Sequence, residues 1–316
     1  MAAQQRPILV LGGTGLLGEA VVERLNRDGS WNVLAPGRSE LDLTQPAALD
    51  HWLANCTFAA VVNCAAATQA DQAESQRERF WCTNAWAVGQ LARLLAPQGV
   101  PLIHISTDLV FGADRERRTP YTENDSVGPL GYYGISKLLG EYETLRTSTQ
   151  FLDWPHFILR TAGLFGWPKF DAAGELVRRD FPSQIASRMR DPKNRPIAVV
   201  ADVFTSLTLA EDLAEVVAWF VEHSALPRGI YHATNGGSAS WFEAACCLAS
   251  ELKLADAVIP TTRAEFRTKR GQSPELNASY TAMDGSRLSQ VARVLTLPKW
   301  SCRVAEWATR FTGQIE

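Results

Sequence analysis

Gly12, Gly15 and Gly18 follow directly on the apolar run Ile8-Leu9-Val10-Leu11 and open a longer amphipathic stretch from Leu16 to Arg27. A chain turns that tightly from strand to helix, and lets a bulky anion approach its backbone, where side chains are missing. The free N–H groups and the positive end of the helix then suit a pyrophosphate. The motif therefore predicts a dinucleotide-binding strand-turn-helix, with ligands at the C-terminal ends of parallel strands.

The pattern continues. Apolar runs at Trp31 to Ala35, Ala59 to Val62, Pro101 to Ile105 and Phe157 to Leu159 alternate with amphipathic segments at Glu78 to Ala96 and Ile135 to Arg146. Runs of this length between helices read as parallel strands buried on both faces. The predicted fold class is α/β: a Rossmann-type doubly wound parallel sheet with a smaller C-terminal mixed α/β substrate lobe. Residues 1–165 would form the NAD(P)-binding domain, with a helical contribution from about 205–225, and residues 166–316 mainly the substrate lobe. In the latter, Trp167-Pro168, Asp191-Pro192 and Arg195-Pro196 interrupt the chain. Helices are predicted at Leu209 to Glu222 and Trp241 to Leu252, with a strand at Gly229 to Ala233 ended by Asn235-Gly236-Gly237. The charged cluster Asp114 to Arg118 reads as a solvated loop in a position that also suits a movable cover.

Composition removes several function classes. With 316 residues, 46% hydrophobic and 21% charged, the chain has ample material for a packed core, which excludes disordered and coiled-coil classes. Lys and Arg total 31 against 34 Asp and Glu, a net charge of -3 without long single-sign runs, so no footprint for nucleic acid is present. No apolar run approaches the roughly 18 residues of a membrane span, and Met1 to Pro7 lacks the pattern of a secretory signal, so a cytoplasmic protein is expected. The six cysteines show no C-x-x-C spacing and read as buried reduced thiols. The five histidines show no ligand spacing with carboxylates, so no metal site is expected.

On the cofactor side, Arg38 follows the second apolar run and suits a ribose 2′-phosphate, favouring NADP(H) with NAD(H) still possible. Asp42 is placed to accept from an adenine amino group, or to cap a helix over Thr44 to Leu49. Leu16 and Leu17 beside the glycines and Leu43 beside Asp42 complete the expected nucleotide contacts. Tyr133 and Lys137 stand four apart, one turn of a helix on one face. A lysine ammonium near a phenol stabilises phenolate and would bring the tyrosine toward the range of a general acid or base. Thr107, closing the strand that ends in Ser106-Thr107-Asp108, could hold a carbonyl oxygen that Tyr133 protonates.

With these residues in place the sequence resembles the extended short-chain dehydrogenase/reductases, and within them the dTDP-4-dehydrorhamnose reductase family. The likeness runs nearly end to end: Asn63 to Thr68 with Asp71 and Ala73-Glu74, Thr83-Asn84, Ile105 to Phe111, Tyr133 to Glu141, Leu159-Arg160-Thr161, Ala210 to Ala214, and Gly229 to His232 with Ser240-Trp241-Phe242. The resemblance implies that Thr107, Tyr133 and Lys137 are the catalytic set, Tyr133 giving a proton to a sugar C4 ketone as NADPH delivers hydride. It implies that Lys137 also binds the nicotinamide ribose, that Ala65, Ala66, Thr68 and Asn84 line or support the cofactor cleft, and that Asp108 and Trp241 lie near the sugar nucleotide. A homodimer is a further implication.

The chain departs from the family pattern on the substrate side. Ala162-Gly163 replaces a segment that usually carries an aromatic ring, Leu109 stands where a tyrosine is common, and Gln272-Ser273-Pro274, with Arg270 nearby, occupies the region of an Arg-Pro motif. Leu109 also argues against the dehydratases of the superfamily, which carry an acid there. The leading expectation is an NADPH-dependent ketoreductase for a nucleotide-activated deoxysugar. A nucleotide-sugar epimerase and a non-catalytic NADP-binding subunit, similar to the regulatory beta subunit of methionine adenosyltransferase, are the alternatives.

Overall fold

The computed structural model describes residues 6–27, 29–55, 57–269, 278–293 and 295–314. Cys56, Arg270 and Gln272-Ser273-Pro274 lie outside the described residues. The first half runs β1 (Ile8–Leu11), α1 (Leu16–Asn26), β2 (Val33–Leu34), α2 (Pro46–Asn55), β3 (Ala60–Asn63), α3 (Arg77–Trp81), α4 (Ala87–Leu95), β4 (Leu102–Thr107), α5 (Tyr132–Ser148) and β5 (His156–Thr161). The second half adds β6 (Leu164–Phe165), α6 (Phe181–Arg190), β7 (Ile197–Val200), β8 (Phe204–Thr205), β9 (Thr208–Leu209) and α7 (Ala210–Glu222). It ends with β10 (Gly229–His232), β11 (Ala239–Ser240), α8 (Trp241–Glu251), β12 (Val258–Thr261), α9 (Arg263–Thr268), α10 (Ser286–Val291) and α11 (Trp300–Thr312).

Among the described residues, six parallel strands form the central sheet in the order β10-β5-β4-β3-β1-β2. The chain leaves β1 toward β2 and returns past it to β3, so the switch point where such sheets hold ligands falls between β1 and β3. Strand alternation divides the core. Ile8, Val10 and Val62 pack with α1 and α7, while Leu9, Leu11 and Val61 pack with α2 and α4. Each such side chain contributes about 1.5–3 kcal/mol on burial. A second core around Ile185, Leu248 and Trp307 joins α6, α8 and α11 beside the β7–β12 pair.

The sequence pattern and the elements differ in instructive places. The run Trp31 to Ala35 yields only the short, half-buried edge strand β2, and among the described residues no strand pairs with its outer side. The helix expected over Glu78 to Ala96 is divided into α3, a π-helical turn at Cys82–Trp86, and α4. The wide turn carries Asn84 inward, a common use of π-bulges. After residue 165 the chain crosses back: α7 packs on α1, where Arg24 and Arg27 both pair with Glu215, and β10 extends the central sheet beside β5.

The loop at Asp114 to Arg118 is largely exposed, but Arg117 is held by two bonds to Asp125 (3.1 and 3.2 Å) and lies 4.3 Å over the Tyr121 ring, which fixes its base. The expectation of buried thiols needs correction. Cys64, Cys82, Cys246 and Cys247 are half-buried, and Cys302 is exposed on α11.

Candidate active site

A cleft of about 720 Å³ opens where β1, β3 and β4 end. Its nucleotide wall is backbone. Gly12 has φ +74°, and a Cβ there would stand 2.7 Å from the Ala65 nitrogen; a Cβ on Gly18 would stand 2.0 Å from the Gly12 carbonyl oxygen. Only side-chain-free residues let α1 seat on the turn and the turn pass Ala65. Gly15 caps α1 without a side-chain bond, so the first-turn N–H groups have no side-chain cap, and the cradle fits the pyrophosphate of a dinucleotide. Leu16, Leu17, Ala65, Ala66 and Thr68 line the same wall. Asn84 does not line the cleft. It is fully buried behind it, accepting from the Ala67 N–H at 2.8 Å and donating to the Ala67 carbonyl and to Ser136 Oγ, so it supports the wall from the π turn.

At the far end of this wall Arg38, Asp42 and Leu43 line the cleft. Arg38 is largely exposed, lines the cleft and pairs with Asp42 at 3.3 Å. Asp42 accepts from the Thr44 N–H (3.0 Å) and hydroxyl (2.7 Å), and the helix begins only at Pro46, so it closes a turn ahead of α2 and is not the cap of a helix over Thr44 to Leu49. Burial raises its carboxyl, but the bonds from Thr44 and Arg38 outweigh that and leave it lowered.

The structure brings Thr107, Tyr133 and Lys137 to one cleft. Thr107 ends β4, where its Oγ1 caps the following 3₁₀ turn by accepting from the Leu109 N–H at 3.2 Å. Tyr133, half-buried at the cleft, and Lys137, buried, lie in the first two turns of α5. The expected depression of the phenol by the lysine is corrected. Burial pushes Tyr133 up to about 12, with Thr107 pulling it down and the Asp108 carboxylate pushing it up. The cause is geometric: Lys137 Nζ turns to the Ile105 carbonyl (2.6 Å) and lies 3.5 Å from His104 Nε2. Burial also lowers Lys137 to about 8, against the raising effect of Glu141. One turn beyond, Glu141 takes two bonds from Arg160 (2.9 and 2.6 Å) and one from Ser106 (2.5 Å), tying α5 to β4 and β5 beneath the reacting residues.

Asp108 and Trp241, expected near a sugar nucleotide, both line the cleft away from the glycine turn, in different capacities. Asp108 is 6% exposed, and its carboxylate accepts from Thr205 (2.8 Å), Thr281 (2.5 Å) and Thr107 (3.1 Å). Burial leaves it raised despite these bonds, so it organises the wall. Trp241 opens α8 behind a Ser240–Glu243 capping box and packs on Phe181. Sequence reasoning missed Thr161, Val203, Thr205, Arg263, Ala278 and Thr281, which line this end from separate segments. The Thr161 hydroxyl is buried with no partner among the described residues. Only Thr161 lay within a recognisable motif. Gly163, in place of a residue with a ring, has φ +51°, and a Cβ there would meet the Ser206 carbonyl at 2.6 Å.

The chain is 37% identical over 268 residues, 82% of each chain, to a probable dTDP-4,6-dihydroxy-2-methyloxan-3-one 4-ketoreductase of Streptomyces antibioticus. It is 34% identical over 295 residues, 93% of this chain and 82% of the relative, to a dTDP-4-dehydrorhamnose reductase of Mycolicibacterium smegmatis. A crystal structure of dTDP-4-dehydrorhamnose reductase from Bacillus anthracis, in complex with NADP, superposes with a TM-score of 0.81 at 27% identity, over 98% of this chain and 100% of that one. A sequence profile matching residues 6–312 makes the assignment direct: the chain belongs to the family of the RmlD substrate binding domain.

Proposed function

We propose that this protein uses NADPH to reduce the keto group of a nucleotide-activated 4-keto-6-deoxy sugar, with Tyr133 as the proton donor. The observation that carries the reading is the convergence of Tyr133, Thr107 and Lys137 at the end of β4, in one cleft with a backbone cradle shaped for a dinucleotide. The named relatives supply the substrate class, a dTDP-linked sugar ketone.

The cradle of Gly12, Gly15 and Gly18 with Ala65, Ala66 and Thr68 would hold the dinucleotide, Arg38 favouring the 2′-phosphate while NADH remains usable. When bound, the cofactor supplies a hydride. Thr107 would hold the substrate carbonyl oxygen beside the phenol, and Tyr133 donates its proton as negative charge develops there. A phenol held at about 12 is protonated throughout the neutral range, the form a reduction requires. Lys137, held at the Ile105 carbonyl, would bind the nicotinamide ribose, and the Glu141–Arg160–Ser106 tie fixes the positions of helix and strand.

We assign the cofactor to residues 1–165 together with α7, and the sugar nucleotide mainly to residues 166–316. Among the described residues no helix is long and apolar enough to cross a membrane; a cytoplasmic protein is the reading that an activated-sugar substrate like that of the named relatives supports. A homodimer is supported by Ile135, Leu139 and Tyr142, exposed at helical spacing on α5; light scattering at twice the chain mass would bear it out.

The test is stoichiometry. Purified protein with NADPH and a dTDP-4-keto-6-deoxy sugar should oxidise one cofactor per sugar reduced, with NMR showing a new C4 carbinol. An isomerised sugar without net oxidation would identify an epimerase, and tight NADPH binding with no change in any sugar would identify a binding subunit.

A further inference from the structure

We propose that His104 is a positioning residue for Lys137: held by Asn63 as its Nε2–H tautomer, it turns an N–H toward the lysine nitrogen and sets the pH at which that lysine gives up its proton. The proposal rests on the reading that Lys137 serves the reaction. Asn63 ends β3, His104 lies within β4 and Lys137 sits in the second turn of α5. The three are 1%, 0% and 2% exposed, so each polar atom must find its partner inside the protein.

The contacts fix the proton positions in sequence. The Ala65 N–H donates to Asn63 Oδ1 at 3.2 Å, which orients the amide so that its NH₂ group faces His104 Nδ1 at 3.2 Å. An amide NH₂ only donates, so Nδ1 accepts and the neutral imidazole carries its proton on Nε2. That nitrogen stands 3.5 Å from Lys137 Nζ, which donates to the Ile105 carbonyl at 2.6 Å. A lysine amine has a lone pair to receive the Nε2–H, whereas an ammonium has none and meets a dipole of its own sign.

The other groups facing Lys137 are Glu141 on its own helix, itself paired with Arg160 of β5, and Cys64 after β3; both favour the ammonium. Burial opposes them and holds Lys137 at about 8, while burial and the lysine charge keep His104 well below its ordinary value. The two nitrogens thus share a site that tolerates one added proton, on the lysine. Ala65 lies against Gly12, so the chain of bonds from the lysine ends where the backbone packs on the cofactor cradle. With Tyr133 protonated up to about 12 and Lys137 held at about 8, the alkaline fall of kcat/KM in the reductive direction is expected to follow Lys137.

Two measurements test this. Long-range 15N–1H NMR on protein carrying 15N-labelled histidine, with His104 assigned by its loss in His104→Phe, should show a neutral ring protonated at Nε2; protonation at Nδ1, or at both nitrogens, at neutral pH overturns the proposal. This readout is independent of turnover, so failure of the ketoreductase reading would be seen separately. In Asn63→Asp the carboxylate accepts from both Ala65 N–H and His104 Nδ1–H, which makes Nε2 the acceptor for a lysine ammonium. The alkaline limb of kcat/KM should then move up by about one pH unit, a tenfold gain in proton affinity. The same substitution in a His104→Phe background should give a markedly smaller shift, since charge alone remains. Equal shifts in the two backgrounds, or none in the single variant, would remove the imidazole from this role.

Discussion

The two ends of the cleft are built differently. The nucleotide wall is made of backbone from two adjacent turns, after β1 and β3, with Gly12 and Gly18 at separations that leave no room for a Cβ. The end we propose for the sugar is made of side chains from six separate segments: Leu109, Thr161, Val203 and Thr205, Trp241, Arg263, and Ala278 with Thr281. A backbone wall changes only by breaking. A side-chain wall can be rebuilt one residue at a time while the fold and the chemistry persist, which is how Leu109 and Ala162-Gly163 can depart from the family pattern beside an intact Thr107, Tyr133 and Lys137.

Perturbing each end should separate these properties. Gly18→Val forces side-chain atoms against the Gly12 carbonyl, and overpacking of about 1–3 kcal/mol predicts NADPH affinity lowered by up to about 100-fold, measured by fluorescence titration. A variant that binds normally would show that the turn adapts and would dissolve the contrast. Arg38→Ala should weaken NADPH by about tenfold, at the lower end for a bond to a charged group because Arg38 is exposed and shared with Asp42, and should leave NADH within about twofold. Equal losses for both would take the 2′-phosphate away from Arg38. Leu109→Tyr, at a 37%-exposed position, should alter KM for a dTDP-4-keto sugar by less than about threefold and leave NADPH affinity unchanged, since one exposed side chain adds little. A large change in cofactor affinity would mean that the two ends are not independent.

The same division explains what could be read from the sequence. The glycine triplet and the Tyr133/Lys137 pair are contiguous signals tied to one period of strand or helix, so their placement follows from local geometry alone. Thr205 and Thr281 are 97 and 173 residues from the Asp108 carboxylate they bond, and no local pattern connects them. Asn84 was legible as part of a motif, but its place behind the wall depends on a π turn that propensity does not announce. The protonation of the site was not legible either. Helical spacing put Lys137 beside Tyr133, whereas the lysine nitrogen turns to Ile105 and His104, and burial sets the phenol at about 12. Likewise β10 joins the central sheet from beyond residue 165, where its sequence reads like any short strand.

The most direct measurement is single-turnover hydride transfer from pre-bound NADPH to a dTDP-4-keto-6-deoxy sugar, followed at the reduced nicotinamide band in the unaltered protein and in Tyr133→Phe. Loss of the positioned proton donor predicts a rate lower by about 10²- to 10⁴-fold with NADPH affinity unchanged. Equal rates in the two proteins would contradict the assignment of Tyr133 as the acid.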